Sequence, residues 1–257
     1  MKKKGALRFV PPVLFIALVL FLWNALHSLG FINEYILPAP KTVLKTFFAL
    51  AGSGEIFSDI SVSLVRVARG FSIAFALAFS LGMFSSVVPV SKWFFEYLVH
   101  FFKNVPPISM IPLLILWSGI GETTKTAIIV LAAFFPMYMS IVKGFTSCDK
   151  KLLEVGTVFK YRKLRIFTRI VLPNAVPDIL VGMRIGLGYA WRAIIGAEMV
   201  AASTGLGHMI LFSQQMARTD KVIVGILVIG LVGYMSDKLF ALLVARFVKG
   251  EKDNGRN

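Results

Sequence analysis

Among the polar and charged residues set in otherwise apolar runs of this sequence are Arg66, Arg69, Lys103, Asn104, Arg184, Arg192 and Glu198. A charge at the centre of a bilayer costs ~2.5–3.5 kcal/mol on insertion scales, so residues of this kind pair, line water or bind ions. Their chemistry is electrostatic. Glu198 is predicted near the end of its run, at the depth of Arg66 and Arg69, which makes an interhelical ion pair among these three the expected arrangement. Lys103 either snorkels to the interface or, with Asn104, lines a solute path. Arg184, the deepest, either lines that path or hydrogen-bonds a neighbouring carbonyl.

Bond-making chemistry has no candidate. His27, His100 and His208 are far apart and lack partners at metal-ligand spacing, so no metal site and no catalytic residue is assigned. Cys148 is the single cysteine, which excludes an intramolecular disulfide. Gly119 to Thr126 resembles a phosphate loop only faintly, because no glycine directly precedes Lys125. Any nucleotide chemistry must therefore reside on another polypeptide, and the chain is not read as an enzyme.

The elements that position the charged residues are membrane spans. Hydrophobic residues make up 57% of the 257, against roughly 45–50% in soluble chains, and they gather in long runs. Stretches of about 20 apolar residues occur at Val10–Leu29, Val65–Val88, Phe94–Trp117, Thr126–Val142, Val176–Val200 and Val222–Val244. The first is too long for the ~7–15-residue apolar core of a signal peptide and is read as an uncleaved span. The net charge of +15 comes from lysines and arginines placed between the spans, not on one soluble surface, so membrane lipid and not nucleic acid is the expected partner. Lys2, Lys3, Lys4 and Arg8, the 143–173 loop, and Lys238, Arg246, Lys249, Lys252 and Arg256 all fall on one side, which predicts both termini in the cytoplasm. Pro106, Pro107 and Pro112 interrupt the third run and Pro136 the fourth. Such breaks are tolerated where protein or a water-filled cavity satisfies the freed carbonyls. Gly182 and Gly186 form a small-residue step suited to close helix packing.

The loop between the fourth and fifth spans is a two-part amphipathic insertion. Leu152, Val155, Gly156 and Phe159 recur on one face of a short helix, with Asp149 as its N-cap. A second segment, Arg162 to Val171, sets Leu164, Phe167 and Val171 on one stripe and Arg162, Arg165 and Arg169 on another, and Pro173 is predicted to end it. An apolar face on a polar cytoplasmic loop needs a partner to cover it.

Glu154-Val155-Gly156, followed by Ile170-Val171-Leu172-Pro173, resembles the E-A-A-x3-G-x9-I-x-L-P signature of permease subunits of ABC importers. Leu37-Pro38-Ala39-Pro40, Ser63 to Phe71, Asn104 to Pro107, Leu116 to Gly121, Phe134-Phe135-Pro136, Ala197-Glu198-Met199 and Gly205-Leu206-Gly207 extend the resemblance across the chain. It is most similar to the nitrate, sulfonate, taurine and bicarbonate type, whose relatives include carriers of small organic solutes such as thiamine precursors. The resemblance implies an all-α type I importer permease fold of about six transmembrane helices with a cytoplasmic two-helix coupling loop. It divides the chain into an N-terminal span and extracytoplasmic segment (1–60), a core (61–250) containing the 143–173 loop, and a tail (251–257). It implies inner-membrane localisation, ABC ATPase subunits that carry ATP and magnesium, an extracytoplasmic solute-binding protein and a second permease copy. The coupling residues it implies are Leu152, Glu154, Val155, Gly156, Phe159, Lys160, Ile170, Leu172 and Pro173. Gly156 would allow close approach of the ATPase, and Glu154 would find a donor there. Lys160 occupies the signature's glycine position, so either the turn shifts or the first helix runs on past it. The alternative reading is a self-sufficient secondary transporter or channel, which would need inverted repeats and intramembrane ion sites that are not evident here.

Overall fold

The computed structural model describes residues 10–254. Lys2, Lys3, Lys4 and Arg8, and Arg256 at the end of the expected tail, lie outside the described residues. Among the described residues every regular element is helical. The chain begins with α1 (Val10–Ser28), α2 (Pro40–Gly52) and α3 (Glu55–Val87). It continues through α4 (Pro89–Phe102), a 3-10 turn (Pro107–Met110), α5 (Ile111–Ser118) and α6 (Glu122–Thr146). The loop contains α7 (Lys150–Val158), α8 (Lys163–Ile166) and a π-helical turn (Phe167–Val171) that leads into α9 (Leu172–Ala201). The chain closes with α10 (Leu206–Gln215) and α11 (Thr219–Asn254), which carries helix into the segment expected as a tail.

Among the described residues, four helical stretches are long and apolar enough to cross a membrane: Glu55–Val87, Glu122–Thr146, Lys163–Ala201 and Thr219–Arg246. The third expected span is not a straight helix. Phe94–Phe102 and Pro107–Ser118 meet at 90°. Pro106 is extended (φ −61°, ψ 127°) because the ring of Pro107 disfavours helical geometry in the residue before it. The first expected span is α1, whose 19 residues reach about 28 Å, against a ~30 Å hydrocarbon core. It is lightly attached: Trp23 Nε1 donates to Pro38 O at 3.1 Å, while Phe15 and Phe21 remain exposed. The six expected spans thus resolve into four continuous helical stretches, one bent pair and α1.

Helix α6 is the centre of the bundle, packed between α3 and α9. Ile128, Ile129, Ala133, Met137 and Ile141 are fully buried along it. Glycines on both neighbours make the approach close. A Cβ on Gly182 would stand 2.5 Å from Ser140 Cβ, and one on Gly186 would stand 2.5 Å from Met137 Cε. The small-residue step on α9 therefore faces α6, where any larger side chain would force the helices apart. Helix α11 lies against α9, where Trp191 Nε1 donates to Ile229 O at 3.0 Å.

Candidate functional site

The loop expected at 143–173 forms two packed segments. Asp149 caps α7, its carboxylate accepting from Lys151 N at 2.9 Å. The helix ends in a Schellman motif: Tyr161 N donates to Gly156 O at 3.0 Å and Lys160 N to Thr157 O at 2.9 Å. That motif needs a left-handed residue, and Lys160 supplies it with φ 52°. Neither expected alternative is realised. The turn stays where glycine would put it, and Lys160 carries the strain. Left-handed geometry costs a non-glycine residue roughly 1–2 kcal/mol, partly offset by glycine's greater unfolded-state entropy. Lys160→Gly is therefore expected to stabilise the loop by about 0.5–1 kcal/mol, read as slower cleavage of residues 143–173 by a soluble protease. Faster cleavage would show that the lysine side chain contributes a contact worth more than the strain.

Gly156 does not face outward as expected. It is buried, and a Cβ there would lie 2.9 Å from Ile170 Cδ1 and 3.1 Å from Ile166 Cγ1. Its small size seats α7 on the second segment of its own loop. Ile170, Leu172 and Pro173 are half-buried behind it. The outward face consists of Leu152 (46% exposed), Val155 (50%) and Phe159 (67%), with Val158 and Leu164 beside them and Glu154 also exposed.

Pro173 does not end the second segment. Helix runs without interruption from Lys163 to Ala201, 39 residues. Proline removes one i→i−4 hydrogen bond and crowds the preceding turn. Here that turn is the wider π-helical Phe167–Val171, which accommodates the ring within a continuous rod.

At the opposite end of the bundle a polar cluster joins α3, α6, α9 and the loop before α10. Arg66 Nη1 lies 2.8 Å from Glu198 Oε1, and its Nη2 lies 2.7 Å from Glu122 Oε1. Lys125 also pairs with Glu122, at 2.5 Å. Glu198 is 1% exposed and accepts two further donors, Ser63 Oγ at 2.9 Å and Gly207 N at 2.9 Å. Ser63 Oγ in turn accepts from Leu206 N at 3.0 Å, and the Asp59 carboxylate accepts from Gly205 N at 2.9 Å. A side chain at Gly205 would collide with the Glu198 carboxylate. Arg69 is exposed and joins no ion pair among the described residues.

Arg184 is held in a bidentate pair with Asp237 of α11, Nε to Oδ1 at 2.7 Å and Nη2 to Oδ2 at 2.7 Å. Lys103 and Asn104 sit elsewhere, at the 90° break. They line a cavity of about 200 Å³ with Pro107, Phe135, Pro136 and Tyr189. The structure thus separates the three pathway candidates into two places. Glu122 and Asp237 are the partners that sequence reading missed. Each is acidic within or beside an apolar run, and that could have flagged them, but nothing local indicates which arginine they meet.

Comparison with known proteins places these features. Residues 74–249 match the binding-protein-dependent transport system inner membrane component family. The chain belongs to this family. The aliphatic sulfonates transport permease protein SsuC of Bacillus subtilis is 33% identical over 250 residues, covering 96% of this chain and 91% of the relative. The taurine transport system permease protein TauC of Escherichia coli is 30% identical over 225 residues, covering 86% and 82%. The nitrate import permease protein NrtB of Synechocystis is 29% identical over 269 residues, covering 98% and 96%. Among solved structures, an amino acid ABC transporter matches with a TM-score of 0.63 at 12% identity, covering 78% of this chain and 96% of that one. The MetNI methionine transporter matches at 0.56 and 15% identity, covering 70% and 92%. This permease therefore has the fold of type I ABC importer membrane subunits. It is a multi-pass membrane protein with a transport role, and the relatives it matches are transport permease proteins.

Proposed function

We propose that this permease is the membrane-spanning subunit of an ATP-driven importer of small oxyanions of the sulfonate, taurine or nitrate class. It would work with a second copy of itself, two ATPase subunits that bind ATP and magnesium, and an extracytoplasmic binding protein, in the inner membrane with both termini cytoplasmic. The observation that carries the reading is the exposed apolar face of Leu152, Val155 and Phe159 on a loop between spans, in a chain of this family. Such a face is stable in water only when a partner covers it. The relatives named above concern sulfonates, taurine and nitrate, and the thiamine-precursor class finds no support among them. Family membership also displaces the alternative of a self-sufficient transporter or channel.

The geometry suggests how ATP closure reaches the far side. The docking face is seated through Gly156 on Ile166 and Ile170, and these open a continuous rod to Ala201, about 58 Å long at 1.5 Å per residue. Glu198 lies near its far end, bonded to Arg66, Ser63 and Gly207. A push on the loop becomes a tilt of α9 against α6, and the polar cluster opens or closes with it. Lys143 and Asp178, paired at 3.0 Å, join α6 and α9 at the loop end and keep the two helices in step. Vesicles containing the permease, its ATPase and its binding protein are expected to accumulate a radiolabelled alkanesulfonate only when ATP is supplied. Accumulation that persists without the ATPase would overturn the reading.

A further inference from the structure

Four arginines stand within the apolar runs, Arg66, Arg69, Arg184 and Arg192, and carboxylates neutralise two of them. Arg66 has Glu198 and Glu122, and Arg184 has Asp237. Arg192 has no carboxylate within ion-pair reach among the described residues. It is exposed on α9, its guanidinium carbon 5.6 Å from the ring centroid of Tyr189. Tyr189 stands one turn toward the middle of the helix, which is the direction in which helical side chains point. The guanidinium therefore leans into the membrane and does not snorkel toward the nearer end of α9 at Ala201. Arg69, the other of these four without an ion pair among the described residues, stands only about 4.5 Å along α3 from Arg66 and the polar cluster, within snorkelling reach of that end.

Tyr189 also lines the cavity at the broken span, together with Lys103, Asn104 and Pro136. That cavity lies against Phe135 and Pro136, at the middle of the 25-residue α6, and so at the middle of the membrane. Among the residues that line it, none is acidic. Tyr189 thus links two sets of donors: Lys103 and Asn104 line the cavity with it, and the Arg192 guanidinium lies over its ring, with no acidic residue in the cavity lining. An arginine fork meets the paired oxygens of an oxyanion edge-on, and a low-dielectric setting strengthens that attraction.

We infer that Lys103, Asn104, Tyr189 and Arg192 form an intramembrane oxyanion site, with Arg192 its principal ligand and Tyr189 the platform that holds the guanidinium in place. This rests on the oxyanion-import reading above, and it assigns the site to the α9 face beside the broken span and not to Arg184, whose fork is already filled by Asp237.

The test uses the assembled importer in vesicles and a radiolabelled alkanesulfonate. Arg192→Gln is expected to lower uptake at least tenfold while the permease still copurifies with its ATPase in wild-type amount. Arg192→Lys should recover part of the uptake. Tyr189→Phe should retain most of it, and Tyr189→Leu should lose most. A merely structural Arg192 would show as lost copurification, or as uptake insensitive to the choice between Phe and Leu at 189, and either result overturns the site. Uptake within twofold of wild type in Arg192→Gln would also overturn it. If the wild-type importer accumulates only a cationic or uncharged solute, the substrate-class reading fails instead, and the two failures are distinct.

Discussion

Replacing Glu198 with alanine is expected to destabilise the permease by about 3–5 kcal/mol, the cost of removing one member of a buried ion pair. The carboxylate is 1% exposed and gathers donors from two separate elements: Arg66 and Ser63 on α3, and Gly207 at the start of α10. Without it the Gly207 N–H loses its acceptor, and Arg66 keeps Glu122 as its one carboxylate, with Thr204 O accepting beside it. Glu122→Ala should cost far less, roughly 1 kcal/mol, because the Glu122 side chain is 51% exposed and water screens its pairs. The comparison is made on detergent-purified protein, as the temperature at which the monodisperse species is lost. Equal losses in the two variants would mean that the cluster is not organised around Glu198. Transport should track stability only in part, since the cluster lies at the far end of the rod that begins in the docking loop.

Phe159→Ala and Val155→Ala are expected to weaken association with the ATPase while leaving the loop folded. Full burial of such side chains stabilises by about 1.5–3 kcal/mol each, so each truncation should lower affinity roughly tenfold to a hundredfold. Both side chains are exposed in the isolated chain, at 67% and 50%, so truncation removes little internal packing. Gly156→Leu should differ in kind. A Cβ at that position already meets Ile170 and Ile166, so a leucine must separate α7 from the second segment, and the loop should become sensitive to protease before any partner is added. Glu154→Lys alters an exposed charge and should leave the loop resistant while changing affinity. Copurification of the ATPase, with limited proteolysis of the permease alone, separates the cases. A protease-resistant loop in Gly156→Leu would contradict the packing described, and undiminished copurification in the double alanine variant would show that the exposed face is not where the ATPase binds.

Much of the site was legible because its signals are local. Asp149 caps a helix by virtue of its own position, and the apolar period of Leu152, Val155 and Phe159 marks a face whatever lies beyond it. The orientation of Gly156 was not legible. A glycine on an apolar stripe is equally consistent with approach by a partner or by the chain's own next segment, and only the presence of Ile166 and Ile170 behind it decides. Lys160 shows the same limit from another side. Its residue type argues against a left-handed turn, but two hydrogen bonds back to Gly156 and Thr157 hold it there.

The sequence by itself determined that this is a membrane protein, which runs are apolar enough to cross, that a two-part loop interrupts them, and the family through residues spread along nearly the whole chain. The first three follow from composition, period and spacing, which are properties of neighbouring residues, and the family from the resemblance of short motifs. Tertiary structure alone decided that the third run bends through 90°, that Pro173 sits inside a continuous rod, and which acid meets which arginine. Glu122 lies 56 residues from Arg66, and Asp237 lies 53 from Arg184. Contacts at that separation arise only when α6 seats against α3 and α11 against α9. The same packing leaves Arg192 without a carboxylate partner among the described residues: pairing is a matter of which helix faces are turned toward one another, and no local pattern encodes that.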